Sequence, residues 1–193
     1  MTSNNKLSGT KTEQNLINSF AGESQARNRY HFFAKVAKKE GYEQIAAIFE
    51  ETAENEKEHA WRFYEQLGDM KGHVNESYPF EYGTTEENLT SAAAGEREEW
   101  EFLYAKGEQD AKEEGFDDIA EVFRHVREAE KHHEARYKKL LENVKNGTVF
   151  KKDVETNWMC RECGYVIKCK EAPKKCPNCE HPQAYFQVLC ENY

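Results

Sequence analysis

Two short stretches carry residue types able to hold a metal. Glu54-Asn55-Glu56-Lys57-Glu58-His59 contains Glu-x-x-His, and Glu128-Ala129-Glu130-Lys131-His132-His133 contains it again. On a helix, residues three apart lie one turn apart on the same face, so each motif offers a carboxylate and an imidazole together. One copy alone carries little weight, because Glu and His at this spacing are common on solvated helices. Here the copies stand in register within a longer repeat. Ala21-Gly22-Glu23 recurs 73 positions on as Ala94-Gly95-Glu96. Gly41, Ile45, Phe49, Glu56, His59 and Leu67 recur 74 positions on as Gly115, Ile119, Phe123, Glu130, His133 and Leu141. One added residue therefore lies between Glu96 and Gly115. An insertion inside a helix is absorbed as a π-bulge, a feature frequent at functional sites. It is expected between Glu98 and Tyr104.

A second chemistry sits at the other end of the chain. None of the six cysteines precedes Cys160. Cys160-Arg161-Glu162-Cys163 and Cys176-Pro177-Asn178-Cys179, twelve residues apart, form the spacing of a tetrathiolate site built from two knuckles. Trp158 to Tyr193 is too short for an independent core, so metal binding must contribute much of the folding energy there. Spacing does not choose between zinc and iron. A zinc ribbon that binds nucleic acid or a partner is the plain reading. Two features favour iron: the module is crowded with aromatics (Trp158, Tyr165, Tyr185, Phe186) without a surplus of basic residues, and a redox-inert ion has no evident use beside a redox-active pair. Cys169 and Cys190 fall outside the spacing and read as free thiols.

The elements that position these groups follow from caps and periods. Thr10-x-x-Glu13 resembles a capping box opening a helix to about Glu40, where Gly41 stops it. A second helix runs from about Tyr42 to Leu67. Gly68 to Gly83 has no helical period and reads as the long connection that crosses a four-helix bundle. Thr84-x-x-Glu87 opens a third helix ending near Gly115, and a fourth runs from Asp117 to about Val144. The expected division is 1–145 for the bundle, 146–157 for a linker turning at Asn146-Gly147, and 158–193 for the knuckle module. The four inward stripes are Leu16, Phe20, Glu23, Ala26, Tyr30, Phe33, Ala37; Ile45, Phe49, Thr52, Glu56, His59, Phe63, Leu67; Leu89, Ala93, Glu96, Glu99, Leu103, Gly107; and Val122, Val126, Glu130, His133, Tyr137, Leu140. In each, acids interrupt the apolar face. Several unpaired carboxylates in one core would be ruinous without cations.

Carboxylates mixed with two imidazoles suit iron or manganese better than calcium or structural zinc. A single Glu from each of two helices plus Glu-x-x-His from each of the others is the di-iron carboxylate arrangement. Glu23 and Glu96 supply the single acids, and Glu99 adds a fifth carboxylate without an acidic counterpart in the first helix. Tyr30 and Tyr104 correspond across the repeat and point inward, either as core residues or as hydrogen-bond donors to ligands. Glu54 and Glu128 recur too, either behind the ligands or on the surface. His31, His73, His125 and His132 read as ordinary polar residues.

Other classes are disfavoured. A formal charge of -9 opposes nucleic acid and anionic membrane surfaces. No run of eighteen apolar residues could span a bilayer, and the polar opening MTSNNKLSGTKTEQ lacks a secretory core. A cytoplasmic setting is expected.

Ala21-Gly22-Glu23, Glu56-x-x-His59, Glu96-x-x-Glu99, Glu130-x-x-His133, CRECGY and CPNCEHP together resemble the rubrerythrin family over essentially the whole length. The resemblance implies an all-α, ferritin-like four-helix bundle with a small rubredoxin-like module. It implies a homodimer, two non-haem irons, and one iron on Cys160, Cys163, Cys176 and Cys179. It also implies hydrogen peroxide reduction, with electrons passing from one subunit's module to the other's di-iron site. The outside donor would be rubredoxin or an NAD(P)H-linked reductase. Glu23, Glu56, His59, Glu96, Glu99, Glu130 and His133 become the di-iron ligands, Glu56 and Glu130 bridging. The residues matching Glu99 and His59 exchange at one iron as its oxidation state changes. A ferroxidase or iron store is the alternative, and a pure binding module the third option.

Overall fold

The computed structural model describes residues 4–191. Its elements are α1 (Asn4–Leu7), α2 (Lys11–Lys39), α3 (Glu43–Leu67), α4 (Thr85–Glu98), a π-helical turn (Glu99–Leu103), α5 (Tyr104–Glu113), α6 (Asp117–Lys145), β1 (Lys151–Cys160), β2 (Val166–Glu171) and β3 (Phe186–Val188). The long helices form the ferritin-like bundle, with α4, the π turn and α5 acting as one member.

Helix ends repeat as the sequence does. Gly41 and Gly115 take positive φ (84° and 80°), and just beyond them Tyr42 and Phe116 return N–H bonds to Ala37 and Ala111, both at 2.8 Å. These are Schellman closures, which need a residue free to turn left-handed. Thr84 forms a full capping box with Glu87. Thr10 caps Glu13, but the Glu13 carboxylate accepts from Gly9 rather than Thr10.

The bundle's directions follow from two crossed caps. The Glu40 carboxylate, at the end of α2, accepts the Thr85 N–H at 3.0 Å. Glu114, at the end of α5, accepts the Thr12 N–H at 2.9 Å and the Lys11 N–H at 3.0 Å. Each acid thus stabilises the positive N-terminus of a neighbouring helix. Because α3 also begins beside Glu40, α3 and α4 start at the same end and run parallel. The connection between them is laid along α2, where Asn75 N–H and the Tyr78 hydroxyl donate to Asn18 and Gln14 donates to the His73 carbonyl.

The core divides into two clusters. One holds Tyr30, Phe33, Phe49 and Tyr137; the other holds Phe63, Tyr104 and Phe123. At Gly107 a Cβ would stand 2.6 Å from the Phe123 ring, so glycine permits the close packing of α5 on α6.

The π turn falls within the expected segment, and Tyr104 N–H bonds back to the Glu99 carbonyl, five residues away. Arg127 Nε donates to the Trp100 carbonyl at 2.8 Å, satisfying a group the widened turn exposes. One expectation changes here. Leu103, assigned to the inward stripe, is 43% exposed, and Tyr104 is buried instead. The extra residue rotates the helix beyond it, so a constant 3.6 period fails past Glu99.

The C-terminal module is a three-stranded antiparallel sheet in the order β2-β1-β3, with Trp158 opposite both Ile167 and Val188. β1 starts at Lys151, so more than half of the stretch read as linker is strand. The module packs on the turn after α2: the Phe150 and Tyr42 rings stack at 6.1 Å, and Ala184 lies 3.7 Å from a Cβ placed on Gly41.

Candidate metal centres

Midway along the bundle, between the two aromatic clusters, Glu23, Glu56, Glu96 and Glu130 are buried with His133, and His59 lies at 13% side-chain exposure. They form two overlapping groups. Glu23, Glu56, His59 and Glu130 bring one atom each within 4.8 Å of one another, and so do Glu56, Glu96, Glu130 and His133. Glu56 and Glu130 belong to both.

The shared acids split their oxygens. His59 Nδ1 lies 2.8 Å from Glu56 Oε2 and 2.8 Å from Glu130 Oε1. His133 Nδ1 lies 3.2 Å from Glu56 Oε1 and 2.8 Å from Glu130 Oε2. Glu23 reaches only His59, at 3.7 Å, and Glu96 only His133, at 3.4 Å. Despite these distances, both Nδ1 atoms, both oxygens of Glu56 and of Glu130, Glu23 Oε2 and Glu96 Oε2 have no partner with hydrogen-bond geometry. Lone pairs that crowd together without pairing are aimed at a common point, and this donor set fits two hard-to-borderline cations.

Electrostatics agree. Burial, with Glu130 and Glu56 nearby, pushes Glu23 well above the carboxylate range. Burial and Glu56 lift Glu96 to about 8. Burial raises Glu130 too, but His59 and His133 outweigh it and hold that acid at about 2. His59 is disfavoured by burial yet driven up to about 12 by Glu130, Glu56 and Glu23; the same contest raises His133, led by Glu130. Without cations, protons balance the charge.

Tyr104 donates to Glu23 Oε1 at 2.5 Å and Tyr30 to Glu96 Oε1 at 2.6 Å. Each aromatic cluster thus orients one non-shared acid. Glu99 joins neither group. Half-buried on the π turn, it borders a cavity beside the cluster, and burial with Glu23 and Glu96 close by raises its pKa well above normal. Glu54 and Glu128 face solvent, paired with Lys57 at 3.4 Å and Lys131 at 2.5 Å. Sequence reasoning passed over Glu134, which is buried and accepts from Trp100 Nε1 at 2.8 Å. It also passed over Arg136, whose Nη2 donates to Thr52 at 2.5 Å. No sequence signal marks such cross-helix pairs beyond a polar residue near an apolar stripe.

In the module, Cys160 and Cys179 sulfurs lie 3.7 Å apart, as do those of Cys163 and Cys176. That is too long for a disulfide and close to the edge of about 3.8 Å that a tetrahedron with metal–sulfur bonds of about 2.3 Å requires. Hydrogen bonds from Asn178 and the Tyr165 backbone bring Cys163 down to about 6. The His181 backbone bond lowers Cys179, but burial and the neighbouring sulfurs outweigh it and push that thiol up to about 12, so without metal the thiols share their protons. Cys169 and Cys190 are free and outside this group. Among the described residues, no helix is long and apolar enough to cross a membrane.

Comparison with known proteins gives a consistent placement. Residues 14–141 match the family model described as rubrerythrin, and residues 158–187 that of the rubrerythrin rubredoxin-like domain. A rubrerythrin of Porphyromonas gingivalis is 55% identical over 98% of this chain and 96% of its own length; one from Clostridium acetobutylicum is 53% identical over 97% and 98%. The structure of nigerythrin in a mixed-valence state superposes with a TM-score of 0.63, at 33% identity over 94% of this chain and 90% of that one. The chain therefore belongs to the rubrerythrin family, with a di-iron carboxylate site in a ferritin-like bundle and a rubredoxin-like four-cysteine knuckle behind it.

Proposed function

We propose that the protein reduces hydrogen peroxide to water at the carboxylate–histidine cluster, using electrons relayed through iron on the four cysteines. The observation that carries this reading is the presence in one chain of a shared-carboxylate cluster and a separate tetrathiolate knuckle. A store or ferroxidase requires only the first. Two irons at the cluster would supply together the two electrons that O–O cleavage consumes.

The chain's own residues do the rest. Glu56 and Glu130 would bridge, Glu23 and His59 would complete one half, and Glu96 and His133 the other. Tyr104 and Tyr30 fix the outer acids by hydrogen bonds. Making two waters from peroxide also consumes two protons. Glu99, which borders the cavity beside the cluster and belongs to neither group, is placed to pass one of them.

Placement of the knuckle module supports transfer between subunits. It rests on the turn at Gly41 and Tyr42, and from Tyr42 to Glu56 is about 20 Å of helix. Electron transfer falls off steeply with distance, which favours delivery from a second copy's module in a homodimer. Rubredoxin or an NAD(P)H-linked reductase would be the outside donor, in the cytoplasm.

Replacing Cys160 with Ser tests the relay. Steady peroxide turnover with a reducing donor should collapse, while the pre-reduced cluster still oxidises once. Unchanged turnover refutes it. Native mass separates the alternatives: a dimer or tetramer fits the reductase, a 24-subunit shell the store.

A further inference from the structure

One charged group in the bundle belongs to neither metal centre. Arg29, on α2, is only 7% exposed, yet its Nε and Nη1 have no hydrogen-bond partner. Arg27 and Arg136 also leave Nε unpaired, but carboxylates hold them through their terminal nitrogens, Glu54 at 3.4 Å and Glu51 at 2.5 Å. Among the described residues Arg29 has no such carboxylate within 4 Å. Its Cζ lies 5.7 Å from the Tyr30 ring centroid. That contact supplies no acceptor for the Nε and Nη1 hydrogens. A lysine so placed could shed its proton; an arginine stays charged and keeps its need for an anion.

Arg29 borders a cavity of about 430 Å³ between α2 and the α4–π–α5 helix, and Nη2 is its one guanidinium nitrogen not sealed from solvent. Arg29 Nη2 would be 3.4 Å from a Cβ on Gly95, itself a wall position, which places the charged end against that wall at ordinary contact distance. Tyr78, from the crossing connection, closes one side: its hydroxyl donates to the Asn18 carbonyl at 2.8 Å, and its ring is 3.5 Å from a Cβ on Gly22. Glu99 and Tyr104 lie on the side toward the cluster.

We propose that this cavity binds a small planar monoanion of the carboxylate class, such as formate, acetate or bicarbonate, with Arg29 as its cation. A planar fork of N–H donors matches two coplanar oxygens better than any other side chain does. Lys11 and Lys106 line the cavity together with Glu76 and Glu98, so no surplus of cations is available there for a doubly charged phosphate and a singly charged ion is favoured. The site goes beyond peroxide reduction and does not depend on it.

Calorimetric titration of the iron-loaded, full-length protein with sodium acetate, with sodium chloride holding ionic strength constant, tests the proposal. Wild-type protein should bind one acetate per chain, saturably. Arg29→Met should weaken binding beyond detection. Arg29→Lys, which keeps the charge and loses the fork, should weaken it about tenfold. The visible spectrum of the ferric cluster, recorded in the same titration, should not change. Absence of saturable binding by wild-type protein overturns the proposal, since Arg29 is then paired by a second copy or by a rotated acid such as Glu98. Binding that survives Arg29→Met, or that perturbs the cluster spectrum equally in wild type and variant, also overturns it and makes the anion a metal ligand. Should Arg29→Met not fold, Arg29→Lys decides, and undiminished affinity refutes the assignment.

Discussion

Loading of the cluster should release an unusual number of protons. Near pH 7 in the metal-free protein, His59 (raised to about 12) and His133 (also raised) carry protons, as do Glu96 (about 8), Glu23 and Glu99, whose pKa values burial and mutual repulsion raise. Glu130, held at about 2, carries none. Two cations at this site need deprotonated donors. Their binding therefore expels about four protons from the six converging residues and about five if Glu99 joins, counted for the coupled cluster rather than residue by residue. Because these shifts are upward, affinity rises with pH, and the overall two-ion constant should change roughly 10⁴-fold per pH unit near neutrality. Solvated carboxylates and histidines, ordinary at 4.3 and 6.5, would release about one proton or fewer. Anaerobic titration of metal-free protein with ferrous iron, in two buffers of different ionisation enthalpy, counts the protons. Release of fewer than two would refute the claim that these acids share a buried, proton-balanced core. The same protons set stability. Each group whose folded pKa is raised contributes stability that is complete below its unfolded value, 4.5 for Glu and 6.5 for His. That contribution drains as pH rises through the folded value, at about 1.4 kcal/mol per pH unit per proton. Metal-free protein should thus lose stability between pH 5 and 8, while iron-loaded protein should not.

Three substitutions probe the scaffold by urea denaturation. Tyr104→Phe keeps the ring packed against Phe63 and Phe123 but removes the 2.5 Å bond to buried Glu23; a loss of about 1–3 kcal/mol is expected, and none would mean that the hydroxyl does not hold that acid. Gly107→Ala places a methyl 2.6 Å from Phe123 and should cost about 1–3 kcal/mol by overpacking. Glu114→Gln weakens the crossed cap on Lys11 and Thr12 and should cost about 1 kcal/mol at pH 7. Hydrogen bonds from Thr12 and Lys11 outweigh partial burial and lower the Glu114 pKa. Its contribution therefore exists above the unfolded value near 4.5 and disappears as pH falls through the folded one, so variant and wild type should converge in acid.

What could be read without coordinates was whatever repeats or has a fixed spacing. Acids in the apolar stripes could not be tolerated as solvated side chains, and the structure buries Glu23, Glu56, Glu96 and Glu130. The step from a 73- to a 74-residue offset located the π turn because a helix has few ways to absorb one residue. What escaped depends on distances between elements. β1 begins at Lys151 because Lys151 pairs with Glu171 across an irregularity that precedes the Thr156–Cys169 pair, a pairing that no local pattern announces. Arg29 differs from its neighbours by lacking a partner, and an absence leaves no mark on the chain. Glu40 and Glu114 correspond across the repeat, yet their meaning appears only when each meets the start of a helix 45 or 102 residues away. These levels meet at Glu99. Its repeat counterpart, Ala26, is a buried core residue, so the two halves match in every converging ligand and differ in this one acid at the start of the π turn. The inserted residue turns Leu103 outward and Tyr104 inward beside a cavity that also reaches Glu99. A duplicated fold supplies a nearly symmetric cluster, and one added residue gives it a distinct side.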